Sequence, residues 1–277
     1  MEPRNTSVDR SSPYGWDWTA TTHDGRDDDE VRGLVRKALG ALGGAHVLPG
    51  KGLQGWARSL SSYDCDGFAL GSVYFGGSRT DVHVQATSAA ADAVRGDVLS
   101  EVPGKTSRVD TRVDSLVPFE DLEAILEQAG ETYGSVVGRV EYKKRGESLG
   151  RTVYLGAPSS AIRVRLYEKW LESPGQYVDG TNRVEVQLRP PSKVKAAVSG
   201  WSRAETFCAS RVTRDLAQRL GTDLAPVASL HVSRGTPDLE RSLAAMGDQY
   251  GPSVRRWLEL SGGDLGRVLD RLGLSDD

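Results

Sequence analysis

Three segments of this chain alternate apolar and polar residues over most of their length, and this pattern limits the fold more than any other feature. They are Ser107–Asp114, Ile162–Lys169 and Asn182–Arg189. A period of two residues is that of a β-strand, whose successive side chains point to opposite faces of a sheet. Each segment therefore predicts a strand with one face in an apolar core and one charged face. Pro190 and Pro191 end the last segment, because proline cannot donate a hydrogen bond to a sheet.

The remaining segments predict an α+β fold. Further strands are expected where short strand-like runs lie between turn residues, at 14–22, 55–60, 68–75, 81–87, 138–142 and 151–156. Helices are expected where apolar residues recur every three or four positions, at 29–42, 89–100, 119–128, 193–220 and 237–274. We expect a largely antiparallel central sheet with helices packed on one face, a polar, candidate catalytic face on the other, and a helical C-terminal third. Along the chain this gives a flexible N-terminus (1–13), a sheet core (14–192) and a helical part (193–277) packed on that core in one continuous domain.

The composition excludes several classes of protein. The chain has 277 residues, of which 38% are hydrophobic and 26% charged, with a mean hydropathy of −0.42. No run approaches the roughly 20 apolar residues of a membrane-spanning helix, and the first residues lack the apolar segment of a secretory signal. The two cysteines, Cys65 and Cys208, exclude a disulfide framework and a cysteine-rich zinc site. We therefore expect a cytoplasmic protein that does not contact a membrane.

The charge is distributed unevenly along the chain. The net charge of the whole chain is −3, yet residues 139–219 contain 16 Lys and Arg against 8 Asp and Glu. A basic third within an acidic protein is typical of a face that binds a polyanion. A surface of internal salt bridges with no partner explains the same count, and the charge by itself does not decide between the two.

The outward faces of four predicted strands carry the residues that could do chemistry. These residues are His83 and Gln85, then Asp110, Arg112 and Asp114, then Arg163, Arg165, Tyr167 and Lys169, and finally Arg183, Glu185, Gln187 and Arg189. A solvated sheet face is also polar, and that is the alternative interpretation. Solvated faces carry mainly Thr, Ser, Lys and Glu, whereas this face groups guanidiniums with carboxylates and a tyrosine.

This mixture suits the chemistry of phosphodiesters. Two or three carboxylates can hold Mg²⁺ or Mn²⁺, which prefer oxygen ligands. The cation and neighbouring arginines neutralise the charge that develops on the phosphate. A tyrosine hydroxyl can act as the nucleophile, but with an ordinary pKa of about 10 it needs a metal or another cation to favour the phenolate. Lys169, two residues after Tyr167 and on the same predicted face, is placed for that role.

At these residues the sequence resembles a known family. The segment Arg151–Lys169 is similar to the signature of the replication initiation factor family of the Rep_trans type, a Thr-x-Tyr-x-Gly turn followed by an Arg-hydrophobic-Tyr-Asp/Glu-Lys strand. Arg108–Asp114 and Asn182–Arg189 resemble two further strands of that family, and Trp16–Trp18 and His83–Ser88 are weaker matches. The five segments occur in the family's order, and the resemblance covers roughly residues 14 to 260.

The resemblance implies a rolling-circle replication initiator. Such proteins nick one DNA strand at an origin hairpin or single-stranded nick site, stay attached to the 5′ phosphate through a tyrosine and later rejoin the strand. It implies a divalent cation (Mg²⁺ or Mn²⁺), a host helicase as partner and a homodimer as the active form. Carried over residue by residue, the resemblance implies that the catalytic residues are Tyr167, as nucleophile, and Lys169. The implied metal ligands are Asp110, Glu185 and, as a third candidate, Asp114. The implied DNA-binding residues are Arg112, Arg163, Arg165, Arg183 and Arg189.

Several residues remain open to a second interpretation. Tyr154 and Tyr177 rival Tyr167 as nucleophile, with structural packing as their alternative role. His83 is either a metal ligand or, as we expect, a histidine near the surface of the site. Glu168 points away from Tyr167 in a regular strand, so we expect it to pair with a helix.

Trp16, Trp18, Trp56 and Trp201 could stack on single-stranded bases, although packing is the better expectation. Two other functions also remain open. One is a relaxase of an integrative conjugative element with the same chemistry, and the other is a non-catalytic DNA-binding regulator with this fold.

Overall fold

In a computed structural model of the chain, residues 13–98, 102–144, 147–222 and 251–272 are described. The chain forms two compact units, Met1–Leu230 and His231–Asp277. The predicted flexible N-terminus, apart from residue 13, lies outside the described residues. So do the parts of the predicted helices at 99–100, 237–250 and 273–274.

Among the described residues, ten strands form one sheet in the first unit. They are β1 (Tyr14–His23), β2 (His46–Lys51), β3 (Trp56–Tyr63), β4 (Ala69–Gly77), β5 (Val82–Thr87), β6 (Lys105–Ser115), β7 (Val137–Lys144), β8 (Glu147–Leu155), β9 (Ile162–Glu168) and β10 (Asn182–Leu188). Their order across the sheet is β2-β3-β4-β5-β1-β6-β10-β9-β8-β7, and each neighbouring pair is antiparallel. The predicted α+β class with a largely antiparallel sheet is confirmed.

The helices lie between and after the strands. In the first unit they are α1 (Asp28–Leu42), α2 (Ser88–Ala93), α3 (Phe119–Tyr133), α4 (Lys169–Glu172), α5 (Lys195–Ser199), α6 (Arg203–Phe207) and α7 (Arg211–Arg219). In the second unit, residues 251–260 are helical and are followed by α8 (Leu265–Leu272). No helix among the described residues is long and apolar enough to span a membrane.

Helix α1 illustrates how local sequence sets the ends of an element. The side chain of Asp27 accepts hydrogen bonds from the backbone nitrogens of Asp29 and Glu30, at 3.0 and 2.9 Å. These nitrogens have no partner inside the helix, so an aspartate at this position stabilises the first turn. At the other end Gly43 adopts a left-handed conformation, with φ of 66°, which glycine tolerates without strain.

Two apolar clusters bury one face of the sheet. On one half, Leu34 and Ala38 of α1 pack with residues of β4 and β5 such as Val84. On the other half, Leu122 of α3 packs with residues of β9 and β10 such as Leu166. Helices α6 and α7 contribute to this second cluster. The opposite face of the central strands is thereby left to the polar side chains.

Several elements differ from the prediction; the helix predicted at 193–220, for example, is divided into α5, α6 and α7. Strand β2 was not predicted, because its six residues are all exposed and include Pro49, which is tolerated at a sheet edge. The helix predicted from residue 89 ends as α2 at Ala93 and continues only as a π-helical turn, Val94–Val98. Strand β9 ends at Glu168, so Lys169 begins α4 and does not continue the strand.

Strand β1 contains the most consequential difference. In a regular strand Trp16, Trp18 and Ala20 would share one face, but the register with β6 shifts between Trp16 and Trp18. Such a bulge adds one residue and reverses the alternation after it. Trp16 therefore packs in the apolar cluster, whereas Trp18 lies opposite Asp110 on the polar face.

Candidate active site

Strands β6, β10 and β9 align the polar residues in three rows. The first row is Asp110, Gln187 and Arg163, the second is Arg112, Glu185 and Arg165, and the third is Asp114, Arg183 and Tyr167. Residues directly opposite each other in an antiparallel sheet point to the same face. The three strands thus bring nearly all the predicted site residues onto one surface.

Arg183 is the structural centre of the third row. Its guanidinium donates to both carboxylate oxygens of Asp114, at 2.6 and 2.9 Å, and to Asp17 at 2.6 Å. The side chain is only 1% exposed. An arginine that is buried and bound in this way positions its neighbours, and its donors are already occupied.

Asp110 and Glu185 are two buried carboxylates in adjacent rows, each about 1% exposed. Glu185 accepts hydrogen bonds from Arg165 at 2.6 Å and from Gln187 at 2.8 Å. Asp110 is paired with Arg108. Burial raises the pKa of Asp110 to about 7, and the charge of Glu185 acts in the same direction against the hydrogen bonds from Arg108. The two carboxylates repel each other, and Arg108 and Arg165 supply the positive charge that compensates them.

Asp114, the third predicted metal ligand, lies one row from Glu185 and two rows from Asp110. It is bound by Arg183 and by Arg112. Within the described residues no group of three or more His, Cys, Asp or Glu side chains could hold a metal ion. Asp110 and Glu185 nevertheless fit Mg²⁺, because this ion is commonly held by one or two carboxylates together with substrate phosphates.

Tyr167 lies on the polar face, as its register with Arg183 requires, but its side chain is enclosed. The residue is 4% exposed, and the Arg165 guanidinium covers its ring at 4.1 Å. Burial raises the pKa of Tyr167 above its ordinary value; Arg183 and Arg165 oppose this shift, while Asp17 and Glu185 reinforce it. The phenol is therefore neutral near pH 7 unless a further cation approaches it.

Lys169 and Tyr177 lie beside Tyr167. The ammonium of Lys169 is 5.8 Å from the centre of the Tyr167 ring and 5.3 Å from that of Tyr177. It also forms an ion pair with Glu172 at 2.6 Å. The hydroxyl of Tyr177 accepts a hydrogen bond from Arg183 at 3.0 Å. The structure thus places two tyrosines in one cationic environment.

Some donors on this face have no acceptor. In the described part of the chain, Nε of Arg163, Nε of Arg165 and the indole nitrogen of Trp18 are buried without a hydrogen-bond partner. Arg163 stacks on Tyr154 at 3.8 Å and has no carboxylate partner among the described residues. Buried donors are normally satisfied, so an oxygen-rich ligand would complete this surface. Arg189, just beyond β10, likewise has an unpartnered nitrogen, Nη1.

The remaining candidates are packed residues. His83 stacks on Trp56 with a ring separation of 5.0 Å and bonds to Thr22 at 2.9 Å. Burial lowers its pKa to about 4. Glu168 accepts from Arg151 of β8, so its partner lies on the neighbouring strand and not, as predicted, on a helix. Arg151 in turn binds Glu120 of α3.

The four tryptophans divide in the same way. Trp16 and Trp56 are buried, and Trp201 packs against the first apolar cluster. Trp18, half-buried on the polar face with Arg108 at 5.3 Å from its ring, is the one placed to meet a base.

Sequence reasoning missed two residues of the site. Arg108 lies two positions before Asp110 in β6 and so shares its face, a spacing that identifies the pair in advance. Asp17 reaches Arg183 only because of the bulge in β1, and no local signal in the sequence marks that bulge.

Neither a protein-family model nor a curated protein sequence matches this chain. Among solved structures it is similar to the rolling-circle replication initiator protein from Geobacillus stearothermophilus, with 24% identity and a TM-score of 0.50 over 69% of this chain and 81% of that chain. The regulatory subunit of aspartate kinase from Thermus flavus is matched with 13% identity and a TM-score of 0.17, over 75% of this chain and 95% of that chain. The first likeness shows a shared fold, and the second superposition is too loose to carry an argument.

Proposed function

We propose that this protein is a metal-dependent DNA strand transferase that initiates rolling-circle replication. One observation carries the proposal: a tyrosine, two buried carboxylates and several guanidiniums lie in three adjoining rows of one sheet face. The likeness in fold to a rolling-circle replication initiator supports it. On this proposal the protein nicks one strand at an origin hairpin or single-stranded nick site, and it acts as a homodimer with a host helicase.

Tyr167 is the proposed nucleophile. Its hydroxyl oxygen attacks the phosphorus of the scissile phosphodiester, the bond to the 3′ oxygen breaks, and the 5′ phosphate becomes joined to Tyr167. The released 3′ oxygen takes up a proton and becomes the primer for synthesis. The phenol must lose its own proton in this step, and burial opposes that loss. Lys169 and Arg165, which lie against the ring, stabilise the negative charge.

Asp110 and Glu185 would hold Mg²⁺ or Mn²⁺. When bound, the cation would supply positive charge to the phosphate and to the phenol. The two carboxylates contribute most when both are ionised, and Arg108 and Arg165 hold their orientation by hydrogen bonds. Asp114 has a different proposed role, because its oxygens are bound to Arg183: it fixes that guanidinium beside Tyr167.

The arginines of this face divide into two groups. Arg163, Arg165 and Arg189 each have a guanidinium nitrogen without an acceptor among the described residues, so we propose that they contact DNA phosphates. Arg112 also has such a nitrogen, Nε, although it lies near the carboxylates of Asp114 and Asp17, and we propose that it belongs to the same group. Arg183 is buried and fully engaged, so we propose that it positions the site.

Covalent capture of DNA tests the proposal. The protein is incubated with Mn²⁺ and randomised single-stranded oligonucleotides, separated under denaturing conditions, and the DNA that stays attached is sequenced. We expect a covalent adduct that forms with Mn²⁺ or Mg²⁺ and not in EDTA. After tryptic digestion the adduct should lie on the peptide 166–169, which contains Tyr167.

The variant Tyr167→Phe should lose this adduct, and Tyr154→Phe, a tyrosine of the same face, is the matched control. If Tyr167→Phe nicks the selected oligonucleotide as fast as the wild type, the assignment of the nucleophile is wrong. DNA binding that is equally strong in EDTA, with no cleavage under any condition, would instead identify a non-catalytic DNA-binding protein.

A further inference from the structure

Tyr177 lies in an ordered connection between α4 and β10. The ends of this connection are joined by a hydrogen bond from the backbone nitrogen of Trp170 to the carbonyl of Thr181, at 3.2 Å. Two turns within it are closed by bonds from Gln176 to Ser173, at 3.1 Å, and from Thr181 to Val178, at 3.0 Å. The half-buried Tyr177 ring therefore has a defined position beside the site.

The hydroxyl of Tyr177 is held by the same arginine that lies opposite Tyr167. Arg183 donates to it at 3.0 Å and is the register partner of Tyr167 in β9. The guanidinium is already fixed by Asp114 and Asp17, so Tyr177 is not needed to hold Arg183 in place. Arg183 is therefore held in place by the two aspartates, and its hydrogen bond orients the hydroxyl oxygen of Tyr177.

The cation of Lys169 is also shared. Its ammonium lies 5.8 Å from the ring centre of Tyr167 and 5.3 Å from that of Tyr177. One lysine and one arginine thus provide the same positive surroundings to two phenols. A site with a single nucleophile needs only one of these two phenols.

We propose that Tyr177 is a second nucleophile of the same polypeptide, which cuts the regenerated nick site while Tyr167 still carries the first strand. This inference rests on the proposed function. The hydroxyl oxygen of Tyr177 attacks the phosphorus of the second site, the bond to the 3′ oxygen breaks, and a second phosphotyrosine forms. The new 3′ hydroxyl then attacks the phosphorus on Tyr167. The bond to the Tyr167 oxygen breaks, the phenol recovers a proton, and a closed strand is released.

Each step exchanges one phosphate ester for another, so no oxidant, reductant or energy source is required. One protomer of the proposed homodimer can thereby hold two strand ends. The requirement is that both phenols reach phosphates bound to one cationic surface, and this is the arrangement that Arg183 and Lys169 create.

The experiment maps two adducts on one chain. Full-length wild-type protein is treated with Mn²⁺ and an excess of the oligonucleotide selected by covalent capture, and intact mass spectrometry counts the oligonucleotides per chain. Trypsin separates the two tyrosines, because cleavage after Arg165, Lys169 and Arg183 places Tyr167 on peptide 166–169 and Tyr177 on peptide 170–183. We expect chains that carry two oligonucleotides, one on each peptide.

Tyr177→Phe should lose the doubly modified chains and every adduct on 170–183, whereas the control Tyr154→Phe should keep both. The wild-type mapping is independent of how well any variant folds. Wild-type adducts confined to 166–169, or doubly modified chains that persist in Tyr177→Phe, would overturn the inference and leave the proposed function intact. The absence of any adduct on the wild type would overturn both.

Discussion

Asp110 is the residue whose chemistry depends most on its surroundings. Its carboxylate is buried, lies near the carboxylate of Glu185, and is only partly compensated by Arg108. Its pKa is therefore raised to about 7, compared with about 3.9 in an unfolded chain. Between these two values the folded protein holds a proton that the unfolded chain has released.

This difference gives the first prediction. Because the folded state binds the additional proton, the contribution of Asp110 to stability is greatest at low pH and is lost as the pH rises through about 7. Asp110→Asn cannot titrate, so its unfolding temperature should fall less than that of the wild type between about pH 5 and about pH 9. His83, whose pKa is lowered to about 4, acts in the opposite direction in both proteins and cancels in the comparison.

The same titration affects the proposed metal site. A protonated carboxyl is a poor metal ligand, so Mn²⁺ binding by the wild type should weaken as the pH falls below about 7. Asp110→Asn should bind Mn²⁺ weakly at every pH, as measured by calorimetry. Equal Mn²⁺ affinity in the wild type and the variant would remove Asp110 from the ligand set.

At the scale of elements, the bulge in β1 determines how that strand meets the site. It leaves Trp16 in the core, turns Trp18 to the polar face, and lets Asp17 reach Arg183 at 2.6 Å. The contact joins β1 to β10, two strands that are separated by β6 in the sheet. An irregularity of one residue therefore completes the set of groups around Arg183.

The second prediction tests this contact. Asp17→Ala removes a charged hydrogen bond to a buried guanidinium, a loss that costs about 1.5–3 kcal/mol. Asp24→Ala removes the exposed ion pair with Lys105, and exposed pairs contribute little to stability because water and salt screen them. Urea unfolding should show the larger loss of stability for Asp17→Ala. Equal losses in the two variants would show that the bulge does not stabilise the site.

At the scale of the whole molecule, the polar face has fewer unpaired charges than its composition indicates. Most of its carboxylates are paired with arginines of the same face, as with Glu185 and Arg165 or Asp114 and Arg183. Arg163 has no such partner among the described residues. The binding of a polyanion should therefore depend on a few arginines and not on the net charge of the region.

The third prediction follows from that difference. Each phosphate neutralised on single-stranded DNA contributes about 0.7 to the slope of log affinity against log salt. Arg163→Ala should lower the slope by about that amount. Arg32→Ala, an exposed arginine on α1 paired with Asp29, should leave it unchanged. An identical slope for wild type and Arg163→Ala, measured by fluorescence anisotropy, would place the DNA elsewhere.

Much of this architecture could be predicted from the sequence, because the alternation of side chains along a strand is a local property. The strands around Arg112, Arg165 and Glu185 and the polarity of their common face follow from the period of two residues. The ends of α1 follow from Asp27 and Gly43. The edge strand β2 was not predicted, because an exposed strand that contains a proline lacks the alternation of apolar and polar residues.

Which residues meet across strands is a property of the folded chain. Register pairs Tyr167 with Arg183 and Asp110 with Gln187, so that Glu185 lies one row from Asp110, and it depends on turns and bulges far along the chain. The enclosure of Tyr167 and the hydrogen bond of Tyr177 to Arg183 arise in the same way. The local order of residues thus sets the chemical character of each face, whereas long-range pairing sets which charges compensate one another and which remain available to a ligand.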